Sequence, residues 1–251
     1  MDPIGHRVVG KKAVLDHLER SPEQIDLVLL QESRSDLQQV AALCNEKNVR
    51  CKRVPKKRLD GESPLSHQGV IAKIFPAGLT PMEDLVDALS SAAFPVLVAL
   101  DQLQDSGNLG VLARTIYALG GCGLALTKDR SAALNDRAMK SSSGALGLLP
   151  VARVTNMARF LRYCQERMSS IYYAGTGPEC RSVFNITIAW PAVLVLGNED
   201  KGVRPGVIKE CHQGLTIPMS GGFDSLNVSQ AGAMLLCELL RQHRQTSATS
   251  R

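Results

Sequence analysis

PVLVALDQLQDSGNLGVLARTIYALGG, residues 95–121, decides the fold. Pro95–Asp101 is a continuous apolar run closed by an acid, the pattern of a strand buried on both faces. A polar loop follows. From Asn108–Leu109–Gly110 the apolar residues recur at helical spacing as far as Leu119. The same strand-then-helix rhythm continues downstream. Leu124–Thr127, Val151–Val154, Ile171–Ala174, Ala192–Leu196 and Leu215–Pro218 read as strands, and Ala132–Ser141, Met157–Met168 and Leu226–Arg241 as helices. This alternation predicts an α/β domain over residues 95–251, a mostly parallel sheet covered by helices on both faces. The polar tail from Gln242 to Arg251 is expected to fray.

Working outward, residues 77–94 hold three acids (Glu83, Asp84, Asp87) and no base. They read as a linker running into an entry helix capped by Thr80, with Pro81 at its first position. Residues 1–76 form a separate small α/β domain. Its predicted elements are a helix over 8–19, strands at Ile25–Leu30, Val49–Val54 and Gly69–Phe75, and a helix over 35–47. That helix would turn Leu37, Val40, Ala41 and Leu43 to one side. Within this domain lies RCKRVPKKR, residues 50–58, which holds six basic residues in nine (Arg50, Lys52, Arg53, Lys56, Lys57 and Arg58) and no acid. Such a run is either a solvated strand edge and turn or a patch that contacts phosphates.

Composition narrows the function classes. The net charge of +5 suits a nucleic-acid partner without requiring one. Aromatics at 4% argue against a base-stacking platform. The seven cysteines include no CxxC pair and the histidines no HxxxH, so neither a metal site nor a disulfide framework is expected. The start, MDPIGHRVVGKKAV, lacks a signal-peptide core, and no apolar run is long enough for a membrane span, so a cytoplasmic protein is expected. Dinucleotide (GxGxxG), phosphate-loop (GxxxxGK[ST]) and hydrolase-elbow (GxSxG) signatures are missing.

Three segments carry candidate chemistry. In residues 99–121 the helix opened by Asn108 offers free N–H groups and a positive dipole end, and Asn108 and Arg114 are both candidates to face a phosphate there. Asn108 reads equally as a helix cap and Arg114 as a surface cation. In VLVLGNEDKGV, residues 193–203, a strand runs into a turn where Gly197 permits close approach of a ligand to the backbone, or the acids are simply exposed. In residues 214–242 a strand ends at Ile217–Pro218–Met219, a Gly-rich loop follows, and Ser225 is placed to cap a long helix. That helix reads equally as an ordinary amphipathic one packed on the sheet.

Together, NLGVLART (108–115), GNEDKG (197–202) and IPMSGGFDSLNVSQA (217–231) resemble, in order and spacing, the three signature motifs of the SpoU/TrmH family of RNA 2′-O-methyltransferases. GKKAV (10–14) and HQGVIA (67–72) resemble the ends of the substrate-binding domain found in many members, and the layout is most similar to the subgroup that methylates a guanosine of large-subunit rRNA. The chain departs from the family pattern at Asp105–Ser106, where Asp-Pro is usual, and at Asn198, where glycine or alanine often precedes the glutamate.

The resemblance implies a C-terminal trefoil knot, a homodimer through the C-terminal domain, and S-adenosyl-L-methionine as cofactor. Asn108, Arg114, Glu199, Ser225 and Asn227 would be catalytic. Thr176, Gly177, Leu196, Gly197, Ile217, Met219 and Leu226 would hold the cofactor, and RNA, in particular 23S rRNA, would be the partner. Arg114 is the family's proposed base. A guanidinium resists losing a proton near neutral pH, so positioning the target phosphate and stabilising the developing alkoxide fit it better. A tRNA ribose methyltransferase, a resistance-conferring rRNA methyltransferase and a non-catalytic RNA-binding assembly factor are the alternatives.

Overall fold

The computed structural model describes residues 7–32, 34–63, 66–74, 79–221 and 225–249. The chain divides into two compact units, Met1–Leu79 and Thr80–Arg251. The expected boundary near residue 77 falls outside the described residues.

The first unit runs β1 (Arg7–Val9), α1 (Lys11–Arg20), β2 (Ile25–Gln31), α2 (Gln38–Glu46), β3 (Cys51–Val54), α3 (Lys56–Glu62) and β4 (Val70–Ile74). Its sheet has the order β1-β4-β2-β3, with β2 and β3 parallel and the other pairs antiparallel. Strand alternation separates two cores. Val28 and Leu30 of β2 pack with Val14, Leu18, Leu37, Val40 and Cys44 of the α1/α2 layer, and Leu29 packs with Val54, Leu59 and Ile71 on the other face. The helix expected over 8–19 is in fact a strand and a helix. Val8 and Val9 pair with Ala72 and Ile71, and Gly10, at φ +100°, breaks the chain before Lys11. Over the stretch expected as a helix from 35 to 47, Leu37 (just before α2) and Val40 are buried as expected, but Cys44 replaces Ala41 and Leu43 as the third fully buried side chain.

The second unit continues with α4 (Met82–Asp87), β5 (Phe94–Leu100), α5 (Ser106–Leu119), β6 (Gly121–Thr127), α6 (Asp136–Ser141), β7 (Val151–Val154), α7 (Met157–Glu166), β8 (Ser170–Ala174), β9 (Cys180–Ser182), β10 (Ala192–Leu196), α8 (Pro205–Ile208), β11 (Gln213–Thr216) and α9 (Val228–Thr249). Its seven strands pair in the order β7-β6-β5-β10-β8-β11-β9, every pair parallel. Alternate strand residues Leu97, Ala99, Val193 and Val195 pack against Leu85, Phe160, Leu161 and Val207 from α4, α7 and α8. Their neighbours Val96, Val98, Leu100, Leu194 and Leu196 are equally buried. On that side α5 packs against α9 and β6.

Several expected element ends move, because caps rather than periodicity set them. In α4 the cap position belongs to Pro81, while the Thr80 N–H bonds the carbonyl of Val151. This helix buries Leu85 and Val86 in the second core, so it is part of that unit rather than a linker. The helix after β5 starts at Ser106, not Asn108, because the Asp105 carboxylate caps it. Asn135 starts α6 at Asp136 rather than Ala132. The expected frayed tail is helical to Thr249. Gln242 fixes it, donating to the Val183 carbonyl at 3.3 Å and accepting from the Ile188 N–H at 3.1 Å.

The order places β10 between β5 and β8. The sheet therefore reverses its winding at the β5/β10 seam, and the loops that leave the carboxyl ends of β5, β8, β10 and β11 converge there. In open α/β sheets that crevice is where ligands bind.

Candidate active site

The loops after β5 and β10 are clamped by an ion pair. Asp101, at 0% exposure, accepts from the Arg204 N–H (3.0 Å), from Nε (3.0 and 3.1 Å) and from Nη2 (2.6 Å). A buried carboxylate is tolerable only with donors this complete. The β10 loop then closes on itself. Asn198 Oδ1 accepts from the N–H groups of Asp200 and Lys201, and Asn198 exchanges both backbone bonds with Gly202. Gly197 sits where this loop doubles back. A Cβ there would lie 2.1 Å from the Gly202 carbonyl carbon and 2.2 Å from Val203 N. Close approach is what this glycine allows, as expected, but the backbone that approaches it is the chain's own.

The clamped loop presents Glu199. One oxygen accepts from the Asp105 N–H (3.1 Å) and Asn108 Nδ2 (3.3 Å), the other from the Gln104 N–H (3.3 Å) and Asn198 Nδ2 (3.3 Å). Asn108, its donor end committed to Glu199, accepts from Asn227 Nδ2 at 3.1 Å through Oδ1. Asn227 Oδ1 in turn accepts from Ser229 N (2.9 Å), Ser229 Oγ (2.6 Å) and Gln230 N (3.4 Å), so Asn227 rather than Ser225 caps α9. Each side-chain amide has its N and O fixed by the neighbour it must satisfy. The result is a polar chain, Glu199–Asn108–Asn227–α9, that ties three loops together.

Beside it lies a cavity of about 410 Å³. Of the seven residues expected to hold the cofactor, Thr176, Leu196, Gly197, Ile217, Met219 and Leu226 line it, as do Glu199 and Ser225. Gly177 does not; a Cβ on it would fall 2.4 Å from both carboxylate oxygens of Glu179. Met219 and Leu226 are large apolar side chains left 37% exposed at the rim. A cavity of this size, with apolar walls, carboxylates and bare loop backbone, fits an adenosyl group bearing a charged amino-acid end.

Arg114 is not part of this constellation. It is exposed and donates to Ser143 Oγ at 3.0 Å. Six residues along a helix is a rotation of about 120° away from Asn108, so one helix cannot aim both side chains at one point.

Sequence reasoning missed the Asp101–Arg204 clamp and, among other cavity-lining residues, Tyr173 and Glu179, whose side chains bond at 3.0 Å. Burial, then Cys180 and Glu179, pushes the Tyr173 hydroxyl well above its ordinary value. Contact with its own backbone N–H, then with the Tyr173 hydroxyl, holds the Glu179 carboxyl below its own. The available signal was a Gly-x-Glu turn directly after a strand of the parallel sheet.

In the first unit, the basic run covers edge strand β3 and the start of α3. Arg50 is ion-paired with Asp26, and Arg53 reaches the carbonyls of Gln31 and Glu32 at 3.5 Å. Lys52, Lys56, Lys57 and Arg58 are exposed.

Comparison with known proteins matches this geometry to a family. The profile of the "SpoU rRNA Methylase family" covers residues 95–237, and that of "RNA 2′-O ribose methyltransferase substrate binding" covers residues 7–79. The 23S rRNA (guanosine-2′-O-)-methyltransferase RlmB of Escherichia coli strain K12 is 35% identical over 95% of this chain and 99% of its own. An AdoMet-bound rRNA methyltransferase from Sinorhizobium meliloti superposes with a TM-score of 0.59 at 25% identity, over 94% of this chain and 87% of its own. The A. aeolicus TrmH/SpoU tRNA modifying enzyme does so with a TM-score of 0.58 at 26% identity, over 68% of this chain and 86% of its own. The chain belongs to the SpoU family of RNA methyltransferases.

Proposed function

We propose that the chain methylates a ribose 2′-hydroxyl, that of a guanosine in 23S rRNA. The coarser half of this reading comes with the family: the protein is an RNA methyltransferase that uses S-adenosylmethionine. The finer half is carried by one observation, the presence of both units along the full length of a relative that acts on 23S rRNA guanosine. A tRNA-modifying relative, that of A. aeolicus, matches only 68% of the chain. The basic run supports the same reading. Lys56, Lys57 and Arg58 crowd the first turn of α3, where cations oppose the helix dipole, so their place there is not explained by helix stability.

When bound, the cofactor supplies a sulfonium methyl. The protein's own residues hold it in line with a ribose oxygen, which is where most of the rate can arise. In this reading Leu196, Ile217, Met219 and Leu226 wall the adenosyl group, with Thr176 and Gly197 at its edge. Glu199, Asn108 and Asn227 fix the loops, and Ser225 stands at the rim to meet the ribose. Arg114 acts on the target phosphate and the developing alkoxide, the proton leaving late to phosphate or water.

We further propose that Arg114 reaches a site through dimerisation of the second unit. Val111 and Tyr117, three residues to either side of Arg114 on α5 and each about 60° of rotation from it, are 41% and 47% exposed, large apolar side chains flanking Arg114 that a second copy would cover. The trefoil knot belongs to the same proposal, with the β10 loop and α9 as its crossing segments.

The test is incubation of 23S rRNA and tRNA with isotopically labelled S-adenosylmethionine, followed by mapping of alkali-resistant ribose positions. Incorporation at one guanosine of 23S rRNA is expected. Incorporation into tRNA alone would overturn the assignment, and none into either RNA would favour an assembly factor.

A further inference from the structure

Glu179 occupies an unusual seat in the cavity wall. Its carboxylate lies over Gly177 so closely that a Cβ there would stand 2.4 Å from both oxygens. The Tyr173 hydroxyl donates to it at 3.0 Å, and Gln213 Nε2 holds its backbone carbonyl at 3.0 Å. Tyr173 is itself boxed in. A Cβ on Gly175 would fall 2.9 Å from its ring, and one on Gly214 would fall 2.7 Å from it. Three glycines thus make room for one tyrosine and one carboxylate, and both side chains line the cavity.

Among the described residues the Glu179 carboxylate meets hydroxyl, thiol and backbone N–H donors but carries no ion pair, although it is accessible and ionised. The other charged lining residues are Glu199, Asp200 and Lys201. Glu199 is committed to four donors. The cofactor carries two positive groups, a sulfonium and an ammonium, against one carboxylate. A fixed anion with unused lone pairs is the complement of that excess charge.

We propose that Glu179, held by Tyr173 and seated on Gly177, is a cofactor-binding residue that pairs with a cationic group of S-adenosylmethionine. This rests on the cofactor reading of the cavity and names the charge recognition within it. Gly177 then acts on the cofactor without touching it, by leaving space for the carboxylate.

The test is calorimetric binding of three ligands to the wild-type protein and to Glu179→Gln, which keeps shape and removes charge. The ligands are S-adenosylmethionine, S-adenosylhomocysteine (ammonium but no sulfonium) and 5′-methylthioadenosine (neither). Glu179→Gln should weaken S-adenosylmethionine about tenfold and leave 5′-methylthioadenosine within about twofold, the scale of one charge pair near a protein surface. S-adenosylhomocysteine weakened alongside assigns the ammonium; S-adenosylhomocysteine unchanged assigns the sulfonium. Gly177→Ala, with its unfolding midpoint checked, should give the same ligand pattern by displacing the carboxylate. Equal weakening of all three ligands, or none of S-adenosylmethionine, overturns the proposal. Wild-type protein that binds none of the three overturns the cofactor reading itself, and this inference with it.

Discussion

Asp101, the acid that ends β5, and Arg204, the residue that caps α8, are joined by a buried carboxylate–guanidinium fork. The two lie 103 positions apart in the chain. Between them runs the whole circuit from β5 to the β10 loop, so the pair fixes where Glu199 stands. The carboxylate side is fully buried and the guanidinium side 44% exposed. The cost of breaking the pair therefore falls mainly on the acid left without donors or on the loop left without its anchor.

Replacing Asp101 with Ala should destabilise the second unit by about 2–4 kcal/mol, somewhat under the range for a fully buried pair because Arg204 can rehydrate. Chemical denaturation followed by circular dichroism checks it. A loss below about 0.5 kcal/mol would mean the clamp is a surface-grade ion pair.

Replacing Glu199 with Gln keeps its shape but sets an amide N against donors that need an acceptor. Methyl transfer should fall by about two orders of magnitude, on the scale of a misplaced catalytic group, while the fold is retained. Asn108→Ala should resemble it and combine with it less than additively, since both cut the same chain. Additive losses in a double-mutant cycle would show that the two residues act separately.

Gly197→Ala places a Cβ 2.1 Å from the Gly202 carbonyl carbon and should cost at least about 3 kcal/mol, or prevent folding. Gly206→Ala, in α8 with nothing within 4 Å and no positive φ, is the matched control. It should be neutral or stabilising by about 0.5–1 kcal/mol. Thermal unfolding of the pair is the measurement.

In the first unit, burial raises the Glu62 carboxyl, but Lys73 Nζ at 2.7 Å and Arg7 Nη2 at 3.1 Å overcome it and hold it below its ordinary value. A carboxyl lowered in the folded state contributes stability that is full above its unfolded pKa, about 4.3, and is lost as pH falls through the folded value. Wild type should therefore exceed Glu62→Gln in stability at pH 7, and the gap should close below about pH 4. Denaturation midpoints across pH 3–7 decide it. A gap that does not depend on pH would assign the difference to packing.

Changing Lys52, Lys56, Lys57 and Arg58 together to Ala should weaken RNA binding and flatten its salt dependence, by about 0.7–0.9 in the log–log slope for each phosphate no longer neutralised. S-adenosylmethionine affinity should not move. An unchanged slope would return the basic run to the role of a solvated edge.

Much of the sheet was legible because buried parallel strands are written as unbroken apolar runs. Val151–Val154 and Ala192–Leu196 have the expected ends, and β5 is shifted by a single residue. Helix starts were less legible. Asp105, Asn135 and Asn227 cap α5, α6 and α9, and each stands amid other residues able to cap. The choice among them is made where the preceding loop delivers the chain. The tail from Gln242 looked free because its anchors, Val183 and Ile188, lie more than fifty residues upstream.

By itself the sequence determined the two α/β units, the strand-to-loop ends where ligands gather, and, through three motifs, the family. Those are properties of local order, and apolar period and short spacings encode them directly. Only the tertiary structure decided that β10 inserts beside β5, that Asn108 stands between Glu199 and Asn227, that Arg114 faces elsewhere, and that Gly177 serves Glu179. Periodicity states which face of an element is apolar. It carries no record of which distant element will cover that face, and the contacts that make a site are set by that choice.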